Sequence, residues 1–371
     1  MGESLTLVRP RSATPVAATR PGRVSIAFFA LALATAAYTG FRLPGAWVAT
    51  LDTVSVTDGF HRRFLIGTLL HPLAIATGYD YWVFAAASFA VLAALLVVLT
   101  VAFVRAGAEG RLVIIGWLLV PTGGFFFHDV GYYEQVLYLL LFAALWLLPR
   151  RPAVAAVLMT VAVLVHEIAL LTVLPIFVVV LSQRFPLRRA ALLAATPLLV
   201  ELAVLAIPAS APGAVDRLRA ATATANFPIR VDALALFERT QSQSWRLYSI
   251  GDVLLFVVPI AGVLLAGFLV LRGRGRPIAV VSQAAAIGAP ALLAFAGWDG
   301  ARWGFLLMTN FAVVLWLRKR EFSVRQLIVL GATLLLLTHM PLPYFDRYHP
   351  RELSRQGVES IDQSLFRVPS V

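Results

Sequence analysis

Three apolar runs, 112–149, 152–183 and 277–317, carry basic residues at both ends, and this pattern constrains the fold more than any motif. A helix needs about 20 apolar residues to cross a hydrocarbon core of about 30 Å. The 152–183 run is too long for one crossing and short for two. Short positive loops mark the cytoplasmic side of a membrane protein. A single crossing over 152–183 would put Arg184, Arg188, Arg189 and both later basic clusters outside. Each run is therefore read as a helical hairpin that leaves the cytoplasm and returns. The apices then point outward as His128-Asp129-Val130-Gly131-Tyr132-Tyr133-Glu134, His166-Glu167 and Trp298-Asp299-Gly300-Ala301-Arg302-Trp303.

Composition agrees. Of 371 residues, 60% are hydrophobic and 13% charged, against about 45–50% and about 25% in soluble domains. The expected class is all-α, a polytopic helical bundle forming one membrane domain over 1–371. The net charge of +12 is a matter of topology. Eighteen of the 31 Lys and Arg lie in short gaps between apolar runs, at Arg9–Arg23, Arg105–Arg111, Arg150–Arg151, Arg184–Arg189, Arg272–Arg276 and Arg318–Arg325. Those segments sum to +15 and the remainder to −3, so no nucleic-acid surface is expected. Without cysteine there are no disulfides, thiolate metal sites or cysteine nucleophile.

Single crossings are expected at 24–42, 81–104, 190–207, 250–271 and 326–340. With three hairpins this gives about eleven helices. The basic head 1–23 is cytoplasmic, and the tail 341–371 is external. The first external loop, 43–80, contains a stretch suited to lying in the membrane interface, and a larger external loop covers 208–249.

Ionisable groups at membrane depth are expensive and mark function by default. Here Asp58, Arg62 and Arg63, Asp129 and Glu134, His166 and Glu167, and Asp299 and Arg302 all fall on the outer face. The competing view is that turns are polar because water is there, with Asp299 and Arg302 pairing locally. His166-Glu167 lacks the second His of a zinc-binding HExxH helix. Trp298 and Trp303 suit an interfacial aromatic belt. Glu201, within a span, stands alone. Arg272-Gly273-Arg274-Gly275-Arg276 lacks the strand-to-helix setting of a phosphate loop.

An enzyme that uses a sugar on a polyprenyl phosphate would want this layout. It needs cations for the phosphate, which Arg supplies through a planar, permanently charged fork. It also needs a carboxylate to take the acceptor's proton. A first external loop with an acidic residue and interfacial helices, about eleven spans and a large later external loop together resemble the GT-C glycosyltransferases and related membrane polysaccharide polymerases. The strings Asp58-Gly59-Phe60-His61-Arg62-Arg63-Phe64-Leu65-Ile66-Gly67, His128-Asp129-x-Gly, His166-Glu167 and Trp298-Asp299-x-x-Arg302-Trp303 also look like a group of bacterial polytopic proteins to which no function attaches.

The resemblance implies the bacterial cytoplasmic membrane, a polyprenyl-phosphate donor and a glycan acceptor, with Asp58 in the place of the family's first-loop acid. Many members carry two adjacent acids there. This loop has Asp52 and Asp58 apart, which leaves a divalent metal cofactor open, and no metal ligand is assigned. The expected catalytic set is Asp58, Asp129, Glu167 and Asp299, with Asp58 as base. The expected substrate-binding set is Arg62, Arg63, His128, Glu134, His166 and Arg302. Three other classes remain: a transporter or flippase of a lipid-linked envelope precursor, another lipid-dependent membrane enzyme, and a non-catalytic envelope-assembly partner.

Overall fold

The structure, a computed structural model, describes residues 20–230, 233–234, 250–271, 277–297 and 299–339. Trp298, Arg9, Arg11, Arg272–Arg276, most of the second half of the 208–249 loop and the tail 341–371 lie outside the described residues. Every described element is helical. In chain order the α-helices are α1 (Arg23–Gly40), α2 (Ala46–Asp52), α3 (Phe64–Thr77), α4 (Tyr81–Arg105), α5 (Ala108–Leu119), α6 (Pro121–His128), α7 (Tyr133–Leu147) and α8 (Pro152–Val165). They continue as α9 (Val173–Arg184), α10 (Leu187–Ala206), α11 (Ala214–Ala221), α12 (Ile250–Leu271), α13 (Pro277–Gly288), α14 (Gly300–Leu317) and α15 (Val324–His339).

Each apolar run expected to cross a membrane is helical. Five stretches are individually long and apolar enough to do so: α1, α4, Glu167–Arg184, α10 and Ile278–Phe295. A sixth forms if α5 and α6 count as one span broken by a 65° bend. The bend has a local cause. Pro121 opens α6 and holds Val120 extended, at ψ 166, because a residue before proline is disfavoured in the helical region. The other expected crossings are apolar helices of 10–17 residues.

The chain turns back within 152–183 and within 277–317. Helix α10 packs along both α8 and α9, so the chain turns back between those two. Helix α14 packs against α13 and the 3-10 turn Ala289–Phe295 that precedes it. Helices α7 and α8 pack along each other on either side of the Arg150-Arg151 turn. Between them the core is dry: Leu137, Leu141, Met159, Ala162, Phe177 and Leu306 are fully buried. Helices α1 and α6 cross in contact, which Gly40 permits, since a Cβ there would sit 1.7 Å from the Gly124 carbonyl oxygen.

The first loop is tied to the segment after α10. His61 and Ser210 form an isolated antiparallel bridge. The Arg62 N–H donates to Ala209 O at 2.8 Å, and the Ala211 N–H donates to Phe60 O at 2.7 Å. That tether sets the direction in which the next residue, Arg63, leaves the backbone.

Candidate functional site

Residues of the first loop and of the segments around 133–134, 166–167 and 299–302 come together. Arg63 stands in the left-handed region, at φ 66 and ψ 23, directly before α3. For a non-glycine residue this conformation costs about 1–3 kcal/mol and persists only where its surroundings enforce it. It aims the guanidinium at the α8–α9 reversal, where Nε donates to Glu167 Oε1 at 3.0 Å and Oε2 at 3.2 Å, and Nη2 donates to Oε1 at 2.5 Å. His166 Nδ1 lies 3.1 Å from Glu167 Oε2. His166 also caps the short 3-10 turn Glu167–Leu170, accepting from the Ile168 N–H at 3.2 Å.

A second ion pair joins the other two apices. Arg302 Nη2 donates to Glu134 Oε1, and Nη1 approaches Asp299 Oδ2 at 3.4 Å. Asp299 also caps α14 by accepting from the Arg302 N–H at 3.3 Å. The Arg302 guanidinium lies over the Tyr132 ring at 4.7 Å and near that of Trp303 at 5.6 Å. The two pairs are connected through α7: the Tyr133 ring meets the His166 ring at 6.0 Å, and Glu134 follows Tyr133 in sequence.

Asp129 ends the first apex. Its Oδ1 lies 2.9 Å from His128 Nδ1, and burial pushes its carboxyl up to about 6, with His128 and Arg302 pulling the other way. The 129–134 turn closes against α2 and α4 because residue 131 is glycine. Its φ is 91, and a Cβ would lie 2.5 Å from Val48 Cγ1 and 2.6 Å from Ser88 Oγ.

Asp52, the last residue of α2, belongs to this group although it was not among the expected site residues. It is buried and faces the Tyr133 hydroxyl; desolvation pushes it up to about 8, and Tyr133 offsets part of that. A carboxylate closing the apolar segment Ala46–Asp52 was the available signal. It went unused because Asp58 lies closer to the Arg62-Arg63 pair in sequence.

Two expected residues stand elsewhere. Asp58 has His71 and Arg217 as its charged neighbours, and Arg217 Nε donates to its backbone carbonyl at 2.7 Å. Burial raises the Asp58 carboxyl, but Arg63 and Glu167 are not among the groups that act on it. Arg62 Nη2 donates to the carbonyls of Leu205 at 3.0 Å and Ile207 at 2.9 Å, which satisfies the open end of α10. Its Nη2 is thereby spent on the helix end, while its Nε makes no hydrogen bond. Arg63 and Arg302 are each engaged by a carboxylate from a distant segment, which makes two cross-linked pairs.

Two buried polar atoms in this cluster, Glu134 Oε2 and Arg302 Nε, make no hydrogen bond within the protein, and Asp52 and the Tyr133 hydroxyl have only each other. Buried polar atoms are overwhelmingly partnered in folded proteins. A concentration of acceptors, one hydroxyl and one N–H donor in a single place is suited to hydroxyl groups, which both donate and accept. Among the described residues no group of three or more His, Asp or Glu is arranged to hold a metal ion. Depth matters as well. Helices α7 and α8 have 15 and 14 residues and so extend roughly 21–23 Å, short of a hydrocarbon core of about 30 Å. Their cluster ends are therefore recessed if their basic ends lie at the opposite surface. No protein-family model, curated protein or solved structure matches this chain.

Proposed function

We propose that this chain is a bacterial cytoplasmic-membrane glycosyltransferase or polysaccharide polymerase. In this reading it has about eleven helices, a cytoplasmic N-terminus and the cluster at the outer face, and it takes its sugar from a polyprenyl-phosphate donor. The observation that carries the reading is the gathering of Asp52, Asp129, Glu134, Glu167 and Asp299 from four segments around two arginines, with Glu134 Oε2 and Arg302 Nε still unpartnered. A packing role alone gives no reason to bury Asp52, Asp129 and Glu134 together and to leave Glu134 Oε2 without a partner, because an orphaned buried group costs about 1–3 kcal/mol.

Asp129 replaces Asp58 as the base in this mechanism. Burial pushes its carboxyl up to about 6, which makes it a stronger proton acceptor than an ordinary exposed carboxylate. The acceptor oxygen forms the new bond to the anomeric carbon as the bond from that carbon to the phosphate oxygen breaks. The electron pair leaves on the polyprenyl phosphate, and the proton stays on Asp129. Arg302, with Nε unspent, faces the departing phosphate. Glu134 Oε2 and Asp52 Oδ1 accept from sugar hydroxyls, while the Arg63–Glu167 pair holds the first loop against the second apex.

The test is transfer from a polyprenyl-phosphate sugar by the purified protein in lipid nanodiscs, alongside single-cysteine labelling with an impermeant maleimide. Asp129→Asn should insert normally, accumulate donor and make no product. Label should reach Thr57→Cys from outside but not Ala108→Cys or Arg151→Cys. Normal product from Asp129→Asn, Asp52→Asn and Glu167→Gln alike would remove the reading. A carrier or flippase of a lipid-linked precursor is the second reading. It is favoured by Glu201, buried in the last third of α10 with both carboxylate oxygens unpartnered, and flux without product in the same nanodiscs would establish it.

A further inference from the structure

Of the 31 basic residues, all but one are arginine, and the exception is Lys319. The difference is chemical. A lysine amine gives up its proton readily when buried and can then attack a carbonyl carbon, whereas a guanidinium stays charged. Lys319 opens the short 3-10 turn Lys319–Glu321 between α14 and α15. Its neighbours are charged, but neither partners it. Arg318 is held by Glu321 and Gln283, and Arg320 is exposed. Helix α5, which packs against the turn, brings Glu109 and Arg111, and α15 begins with Arg325 beside Val324. Among the described residues, Lys319 Nζ makes neither an ion pair nor a hydrogen bond.

The side chain is held in place all the same. Nζ lies 3.3 Å from the centre of the Trp316 ring, one turn back on α14. The stem crosses α5 at Gly110, where a Cβ would come within 2.8 Å of Lys319 Cδ. Head on Trp316 and stem on Gly110, the side chain latches the start of α5 to the end of α14. The ring favours the charged ammonium, so the latch depends on that charge. Burial, with repulsion from Arg320 added, brings the amine down to about 8. About a quarter of it is then neutral at pH 7.5, against about one part in a thousand for an ordinary lysine.

We infer that Lys319 is an acyl-acceptor site for a small acyl phosphate, and that acylation opens the latch. The amine lone pair forms a bond to the acyl carbon as the bond from that carbon to the phosphate oxygen breaks. Phosphate leaves with the electron pair, and the surplus proton on nitrogen passes to solvent. The anionic donor is selected by Arg320, whose exposed guanidinium stands beside the amine and suits a phosphate. The product amide is neutral and gives up the cation–π contact with Trp316. None of this depends on the glycosyl-transfer reading.

The test treats the full chain in lipid nanodiscs with acetyl phosphate and follows Lys319 by mass spectrometry, a single lysine making the site unambiguous. The reference is the end-blocked peptide Leu317–Phe322, which has the same charged neighbours but neither ring nor helix around it. At pH 7.5 the protein should be acetylated about tenfold faster than the peptide, because more of its amine is neutral. Its rate should level off above about 8, while that of the peptide keeps rising. Arg320→Gln should slow the protein at an unchanged melting temperature. The acetylated protein and Lys319→Gln should both melt below wild type, and Lys319→Arg, which keeps the charge, should not. Equal rates in protein and peptide, or a rate indifferent to Arg320→Gln, would overturn the site. An unreactive Lys319 whose replacement by Gln still lowers the melt would do so too, leaving the side chain a structural clamp. Acetylation without any change in melting would overturn the latch.

Discussion

At the end of the bundle that carries Arg318, the ion pair joins residues three apart; at the end that carries Arg302, two ion pairs also join distant segments. Arg318 Nε donates to Glu321 Oε1 at 2.9 Å, three residues on. Arg111 turns back to the carbonyls of Phe103 and Val104. Arg63 and Glu167, by contrast, are 104 residues apart and Arg302 and Glu134 168. The side chain of Glu321 is 43% exposed and that of Glu134 only 3%. A local, exposed pair constrains little beyond its own turn. A buried pair between distant segments fixes helix positions and requires desolvating both charges. It is at that second end that unpartnered polar atoms collect, and this combination separates a site from a solvated turn.

The largest expected effect separates the ends by chemistry. Asp129→Asn should lower transfer by about 10²–10⁴ at unchanged KM, the usual loss when a general base is removed. No substitution at Arg318 or Glu321 should change turnover more than twofold. The pH profile sharpens the assignment. The carboxylate is the active form, so the rate should rise about tenfold per pH unit up to about 6 and level off above it, following Asp129. A limb near 8 would instead identify Asp52 as the base.

The next effect is on stability. Arg302→Ala leaves Glu134 buried without its cation, and breaking a buried pair from one side costs about 3–5 kcal/mol. The double variant Arg302→Met with Glu134→Gln should recover most of that loss in an unfolding titration, because no uncompensated charge remains. Arg302→Ala and the double variant being equally unstable would mean that Arg302 contributes through packing on Tyr132 and Trp303 instead.

How much of this was legible depended on the range of the interaction. The helices followed from the length and composition of the apolar runs, both local properties of the chain. That Asp129, Glu134, Glu167, Asp299, Arg63 and Arg302 share one end followed from the placement of arginines. Which of them pair did not, because Arg63 with Glu167 and Arg302 with Glu134 depend on how the hairpins pack. Arg62 and Arg63 show the limit. They are adjacent and identical in type, yet the bridge between His61 and Ser210 sends one to helix-end carbonyls and the left-handed turn sends the other to a carboxylate. Asp52 was passed over for Asp58 for the same reason: what distinguishes them is the Tyr133 hydroxyl, which arrives from α7.

A smaller loss is expected at Gly131. Alanine there must adopt a φ of 91 and press its Cβ against Val48 and Ser88, and such strain costs roughly 1–3 kcal/mol. Because the turn also positions Asp129 and Glu134, Gly131→Ala should reduce turnover together with melting temperature. A normal melt with reduced turnover would show that the turn shifts without unfolding, which would place its role in positioning.

The smallest effect completes the comparison. Glu321→Ala removes the i, i+3 partner of Arg318, but the half-exposed carboxylate is screened by solvent, and pairs of this kind are worth about 0.2–1 kcal/mol. Arg318 would still donate to Gln283 Oε1 at 2.5 Å, so its charge would not be left without a hydrogen-bond partner. The expected outcome is a melting temperature within error of wild type, diminishing further as salt is added, and unchanged transfer. Were Glu321→Ala as damaging as Arg302→Ala, the local pairs at the Arg318 end would be performing the same structural work as the long-range ones. The contrast in burial and in sequence separation would then no longer identify the Arg302 end as the site.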